Sequence, residues 1–533
     1  LSIIFAACHT SNEPVTRPKM VVGIVVDQMR WDYLYRYYER YGHSGFKRLL
    51  KDGYTCSNTS INYLPTYTAP GHACIYTGSV PAIHGIAGND WVDKYGNAMY
   101  CVRDTTVTTT EPSKDGPMSP ANLLTTTVTD ELRLATNKQS RVYGISLKDR
   151  GSILPGGHMA NAAYWYNDLT GNFISSSYYP NPNPEWLKRF NNRKVADSLV
   201  GLGWYTLFAP DSYVQSEPDS VAWEGVLTGE KSPVFPHLFD TLTGQRRYAV
   251  VKSIPAGNTL SIMMAKACIE GEDLGKKTAT DFLALSLSAT DYVGHRFAPN
   301  SVEIEDTYLR VDRDIADLLL YLDKQYGKDG YLIFLTADHG GAHNADYLTA
   351  NHVPAGSEKG NVKEELNAWL KQLFGVDNLV TFIENYQICF DEQQIARSGK
   401  DRESIRANTI SWLQAQPQVA YAIDLENIWR NTVPEPIKTM AVNGYNSQRS
   451  GGIQVVLHPG WYNANGHSTG TTHGTWNPYD AHIPLIWYGW NIKHGETDAP
   501  VHMTDIAPTV ASLLHIQMPD GCVGNPIQGL RRK

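Results

Sequence analysis

The chain has 533 residues, 42% apolar and 19% charged, with 31 Tyr and 13 Trp. That is the composition of a packed globule with a large core and room for insertions, and it excludes a disordered chain. A formal net charge of −8 repels polyanions, so nucleic acid is excluded as a partner held by bulk charge, and any anionic substrate needs a locally cationic site.

The N-terminus reads Leu1-Ser2-Ile3-Ile4-Phe5-Ala6-Ala7-Cys8 and then turns polar as far as Arg17. An apolar stretch closing on small residues and a cysteine has the pattern of the tail of a secretory signal, and Phe5-Ala6-Ala7-Cys8 resembles a bacterial lipoprotein processing box. Residues 1–17 are therefore expected to be a signal remnant and linker. Export follows from that reading, to the periplasm or to an outer-membrane-anchored state, with Cys8 as the candidate lipid anchor. No other apolar run approaches the ~18 residues of a membrane span.

Met20 to Val26 is a continuous Val/Ile-rich run that ends at Asp27, with the length and composition of a central parallel strand covered on both faces. Similar runs recur at Val142 to Leu147, Phe282 to Leu287, Tyr331 to Leu335 and Ile483 to Tyr488. Helical patterns fall between several of them, at Asn122 to Leu134, Ser301 to Leu322 and Met503 to Leu514. The alternation predicts an α/β fold with a doubly wound, mostly parallel central sheet and helices on both faces. Two segments break the rhythm. Residues 151–257 are rich in Tyr, Asn, Pro and Ser and read as a surface insertion, and residues 342–456 read as a cap or small subdomain. The core is thus expected to comprise 18–341 and 457–533. Apart from Cys8, six cysteines (Cys56, Cys74, Cys101, Cys268, Cys389 and Cys522) show no CxxC spacing. A zinc ribbon is excluded, while disulfide pairing and buried free thiols both remain open.

Asp27, Asp291 with His295, the adjacent Asp338-His339 and His473 each follow an apolar run or lie in a Gly-rich loop, where open α/β sheets build their sites, and Thr68 joins them as a candidate nucleophile. Asp291-Tyr-Val-Gly-His295 and Asp338-His339 each have a bland alternative as loop-end caps. Their joint occurrence at two strand ends instead offers carboxylate oxygen and imidazole nitrogen to divalent cations, the donors zinc accepts. His473 lies in Gly470-Thr-Thr-His473-Gly474, with His343 and His467 as nearby competitors. Thr68, followed by Pro70, reads as the cap of a helix whose positive end would favour an anionic oxygen. Beside a metal ion, its hydroxyl would also be an available nucleophile.

Together with Ser79 to Trp91, Ser146 to Arg150 and Asp505 to Thr509, these motifs resemble the alkaline phosphatase superfamily. The resemblance is strongest to its monomeric bacterial PafA-type branch, which uses a threonine nucleophile, and it runs from about Arg17 to the C-terminus. It implies an alkaline phosphatase-like fold, a monomer and two Zn2+ ions. One zinc would be held by Asp291, His295 and His473, the other by Asp27, Asp338 and His339, with Thr68 between them forming a phosphothreonine intermediate. It further implies that Asn89, Lys148 and Arg150 hold the oxygens of a phosphate monoester, the lysine standing in for the third metal of the dimeric enzymes. A phosphodiesterase or nucleotide pyrophosphatase would share the core, but a diester presents one fewer anionic oxygen and gains less from Lys148 and Arg150. Thr68-Ala-Pro-Gly-His departs from the sulfatase pattern of Cys or Ser followed by Pro and Arg, and from the serine and manganese of phosphoglycerate mutases. A non-catalytic binding protein on the scaffold would predict a damaged ligand set, and the set is intact.

Overall fold

All seven residues of β1 (Met20–Val26) are buried, so the strand is covered on both faces, as its uninterrupted apolar run requires. In the computed structural model, which describes residues 16–531 except 94, 114, 359 and 465–467, β1 lies inside a nine-stranded sheet. The leader, Cys8 and His467 lie outside the described residues. The other strands are β2 (Tyr54–Cys56), β3 (Val142–Ser146), β4 (Ala162–Asn167), β5 (Asn172–Ile174), β6 (Asp281–Leu287), β7 (Tyr331–Thr336), β8 (Leu485–Gly489) and β9 (Gly495–Thr497). Across the sheet the order is β9-β2-β8-β7-β1-β6-β3-β4-β5. The run β7-β1-β6-β3-β4 is parallel, and β5 and β8 flank it antiparallel. The fold is therefore the mostly parallel α/β sheet expected from the alternation of runs. Its helices include α1 (Thr68–Thr77), α2 (Asp149–Gly156), α3 (Ala289–Phe297) and α4 (Val302–Tyr326).

Several boundaries differ from the sequence reading for local reasons. The helix expected from Asn122 starts at Val128, because Thr127 forms a capping box with Asp130 and fixes the first turn there. The run from Ile483 is broken at Pro484, which lacks the ladder donor: Ile483 belongs to a short separate strand and β8 begins at Leu485. The stretch from Gly151, expected as an insertion, opens inside α2 and supplies β4 and β5 to the central sheet. Its Tyr and Trp content reflects an aromatic strand, since all six residues of β4 (AAYWYN) are buried.

Within the expected cap, four antiparallel strands form a second sheet in the order Val380–Glu384, Gln387–Phe390, Ile453–Leu457, Val419–Asp424. Leu366, Leu370, Ile388, Ile405, Leu413 and Ile453 give it a core of its own. Its strand Ile453–Leu457 runs across the expected boundary at 456. The six described cysteines are unpaired. Among the described residues no helix is long and apolar enough to cross a membrane.

Candidate active site and metal centre

The carboxyl ends of three adjacent parallel strands deliver three acids to one place. Asp27 follows β1, Asp338 lies just beyond β7, and Asp291 sits in the first turn of α3 after β6. Asp27 and Asp338 are fully buried and Asp291 is 3% exposed. Thr290 Oγ1 donates to the Asp27 carbonyl at 2.5 Å, which ties α3 to the end of β1. The Gln28 backbone N–H donates to Asp338 Oδ1 at 3.2 Å and its side-chain amide to Asp291 Oδ1 at 2.7 Å. Gln28 reaches both from a left-handed backbone, φ 62°.

Three histidines complete the ring of donors. His295 lies one helical turn after Asp291, with Nε2 3.2 Å from Asp291 Oδ1. His339 Nε2 stands 3.6 Å from Asp27 Oδ1 and 3.5 Å from Asp338 Oδ2, and His473 Nε2 is 3.7 Å from Asp291 Oδ1. In each, Nδ1 faces a backbone carbonyl: Thr471 for His295 (2.8 Å), Gly340 for His339 (2.9 Å) and Thr66 for His473 (2.7 Å). An Nδ1–H donated to a carbonyl leaves the Nε2 lone pair directed at the site, the orientation that metal-ligating histidines take. The Gly-rich loop carrying His473 is fixed by close approach: a Cβ at Gly470, whose φ is +73°, would meet the His295 carbonyl oxygen at 1.8 Å. Asp480 holds the same loop, accepting from the Thr475 N–H at 2.8 Å and hydroxyl at 2.7 Å.

Two tight clusters result, Asp291-His339-His473 and Asp27-Asp338-His339, with donor atoms all within 4.8 Å of one another. His339 is common to both, while His295, its side chain 36% exposed, lies at the rim with Nε2 beside Asp291. Stacking of the His339 and His473 rings, with centroids 3.5 Å apart, draws His339 into both groups.

Thr68 was expected to cap its own helix and does not. Tyr67 is the N-cap and makes no side-chain cap, while Thr68 is the first helical residue, 1% exposed. The capping is done by Asn89, whose Oδ1 accepts from the Ala69 N–H at 2.9 Å. The Thr68 hydroxyl is thereby left to the site, 3.3 Å from His339 Nε2 and 3.3 Å from Lys148 Nζ. Helix α1 reaches this depth because a Cβ at Gly71 would collide with the Asp338 carbonyl, 2.5 Å away.

Lys148 and Arg150 were expected on one side of a strand end. They stand at the start of α2, Lys148 as its N-cap, and diverge. Lys148 Nζ bridges Asp27 Oδ2 (2.7 Å) and Asp291 Oδ2 (2.6 Å). Arg150 Nη1 donates to Tyr100 Oη at 3.1 Å, and Tyr100 in turn donates to Asp149 at 2.5 Å. Both cations line one cavity of about 420 Å³ with Tyr292 and Arg296. His72, one turn after Thr68, was missed by the sequence reading: its Nδ1 is 2.9 Å from the Thr68 carbonyl and 3.3 Å from Asp338 Oδ2. Its spacing from Thr68 was the available signal. Tyr100 had none.

The electrostatics fit a cationic occupant. Burial, reinforced by Asp338, pushes the Asp27 carboxyl well above its ordinary value. Burial would also raise Asp291 and Asp338, but His295 and Lys148 outweigh it at Asp291, and His339 and His72 at Asp338, so both are held below the usual range. Burial lowers His339 and His473, keeping them neutral. Three buried carboxyl groups thus crowd around one ammonium, and an apolar interior disfavours their ionisation unless a cation joins them. Asp27 Oδ1 and Asp338 Oδ2 have no hydrogen-bond partner among the described residues. Convergent carboxylate oxygens and imidazole nitrogens are donors that a divalent metal such as zinc accepts, so the residues fit a metal.

The family model described as type I phosphodiesterase / nucleotide pyrophosphatase matches residues 21–480. The alkaline phosphatase PafA of Elizabethkingia meningoseptica is 51% identical over 516 residues, 96% of this chain and 94% of the relative. The chain belongs to the alkaline phosphatase superfamily. A second relative in that group, from Myroides odoratus and named a calcium-transporting ATPase, is 48% identical over 98% of this chain and 96% of its own. A crystal structure of PafA substituted at a threonine, an asparagine, a lysine and an arginine matches with a TM-score of 0.95 and 49% identity, covering 97% of this chain and 100% of that one. The superfamily sheet is therefore present here nearly entire.

Proposed function

We propose that the protein is a zinc-dependent alkaline phosphatase that hydrolyses phosphate monoesters through a phosphothreonine on Thr68. The observation that carries the reading is the position of the Thr68 hydroxyl, 3.3 Å from both His339 Nε2 and Lys148 Nζ at the buried start of α1. Zinc held by Asp27, Asp338 and His339, and by Asp291, His473 and the adjacent His295, would supply Lewis acidity to the attacking and departing oxygens. Thr68 Oγ forms a bond to phosphorus as the ester P–O bond breaks, and water then cleaves the phosphothreonine to release phosphate. The amide hydrogens at the start of α1 favour negative charge on the phosphoryl oxygens. Asn89, its Oδ1 fixed by Ala69 N–H, presents its amide nitrogen to the same group. Lys148 supplies a point charge, and Arg150, oriented by Tyr100, a planar two-donor face. The four residue types altered in the PafA mutant are those of Thr68, Asn89, Lys148 and Arg150, which supports assigning them to this step.

The phosphodiesterase reading has the family model's description in its favour. Against it, a cavity lined by Lys148, Arg150, Lys252 and Arg296 suits the dianionic phosphoryl group of a monoester. Turnover of matched monoester, diester and sulfate ester, with metal analysis on the same preparation, separates the readings. Fast monoester turnover with two zinc ions per chain is expected; a diester preferred over the monoester overturns it. The same proposal includes export with Cys8 as anchor, on the strength of the Phe5 to Cys8 pattern. Fractionation of cells expressing the precursor checks it, and unprocessed cytosolic protein refutes it.

A further inference from the structure

A second cavity, of about 290 Å³, opens beside Asn89 and His473 and extends into the cap. Its inner end is formed by Tyr67, His295 and His473, the histidines assigned above to the departing oxygen. Its outer wall comes from the cap, where Ile383, Leu413 and Val455 stand beside the amides of Asn385, Gln416 and Gln418. Glu384 and Asp90 stand on the lining as well, and among the described residues no Lys or Arg does. Burial, reinforced by Asp90, raises the Glu384 carboxyl; burial raises Asp90 as well, against the opposing charge of Arg150.

The cap reaches this point by a hairpin. Glu384 pairs with Gln387, so the loop is the two residues Asn385 and Tyr386, both left-handed at φ 58°, the geometry that a tight hairpin demands. A tyrosine in that conformation is strained, and such strain is retained where surrounding contacts require it. Here the contacts join the two halves of the site. Asn385 Nδ2 donates to the Asp90 carbonyl at 2.8 Å, next to Asn89, and Tyr386 Oη accepts from the Asn463 N–H at 3.0 Å. The hairpin tip thus pins the phosphoryl-binding loop to the cap and closes the cavity over the histidines.

We propose that this cavity is the leaving-group subsite and that Glu384 with Asp90 makes it select monoesters whose alcohol is apolar or aromatic and carries no further negative charge. The inference rests on the phosphomonoesterase reading. An aryl or similar apolar body packs on Ile383, Leu413 and Val455, whereas a carboxylate or a second phosphate on the alcohol meets Glu384 on a lining without Lys or Arg among the described residues. A cationic substituent meets the same pair favourably.

Steady-state kcat/KM of the zinc-loaded protein for phenyl phosphate, 3-carboxyphenyl phosphate and 3-(aminomethyl)phenyl phosphate tests it, with Glu384→Gln measured beside the parent. The expected order is aminomethyl, then phenyl, then carboxyphenyl, with about tenfold between the charged extremes at low ionic strength. In Glu384→Gln the spread shrinks severalfold, chiefly through KM. Electronic effects of the substituents cancel in the comparison of parent with variant. Turnover of all three at equal kcat/KM in the parent, or an unchanged spread in Glu384→Gln, overturns the subsite while leaving the phosphatase reading intact. Turnover of none overturns both.

Discussion

Asp27 shows how a single residue records what the site is built to hold. Its carboxyl lies at the end of a fully buried strand, its pKa raised by burial and by Asp338. A raised folded-state pKa contributes stability that is present below the ordinary value of 3.8 and lost as pH rises through the folded-state value. At alkaline pH burying this carboxyl therefore burdens the chain when metal is removed, and the group serves as a ligand when zinc is bound. Asp27→Asn is expected to raise the melting temperature of chelator-treated protein by about 2 °C or more and to lower that of the zinc-loaded protein, as the lost ligand weakens metal linkage. Calorimetry of both forms checks the sign reversal. For the phosphoryl group, replacing Lys148 and Arg150 together by Ala removes two charge-assisted contacts. Monoester kcat/KM is expected to fall about 10²- to 10⁴-fold and diester kcat/KM much less; equal losses would make the pair structural. The candidate metal ligands were legible in the sequence because their chemistry resides in residue type and spacing. Gln28 and Tyr100 act through geometry alone: a left-handed backbone in one case and a contact across 50 residues in the other.

At the scale of elements, chain order told which strands exist, and local chemistry decided where they end. Thr127 and Pro484 moved two boundaries because a capping box and a missing donor act within a single turn. Strand β4 was misread because its aromatic, Asn-flanked sequence resembles loop composition until its burial is known. The first turn of α4 carries a device away from the site. His237 is fully buried, with Nδ1 2.9 Å from Glu230 and Nε2 3.4 Å from Glu303. Burial lowers its pKa, but the two carboxylates outweigh burial and raise it to about 9, from 6.5. The stability from this charged pairing is present below pH 6.5 and lost as pH rises through about 9. His237→Gln is expected to remove a fall in unfolding free energy of the order of 2 kcal/mol across that window, measured by denaturant titration of the zinc-loaded protein at pH 6 and pH 9.5. Equal pH slopes for parent and variant would contradict the pairing.

For the whole molecule, the central sheet and the cap do different work. Parallel strands β6, β1 and β7 bring Asp291 and Asp338 together with Asp27, more than 250 residues before either in sequence, a convergence that the alternation of runs foretold. The cap was legible only as an interruption. Its own sheet, its core and the hairpin tip that touches the loop after Asn89 depend on long-range pairing that no local pattern encodes. The claim on which the rest depends is that Thr68 is the nucleophile. Its most direct test is acid quenching of the zinc-loaded protein during monoester turnover, followed by peptide mapping for covalent phosphate. The account predicts phosphate on Thr68 and none on the Thr68→Ala protein, whose turnover falls by about three orders of magnitude or more. Phosphate on another residue, or full turnover by Thr68→Ala with zinc bound, would contradict it.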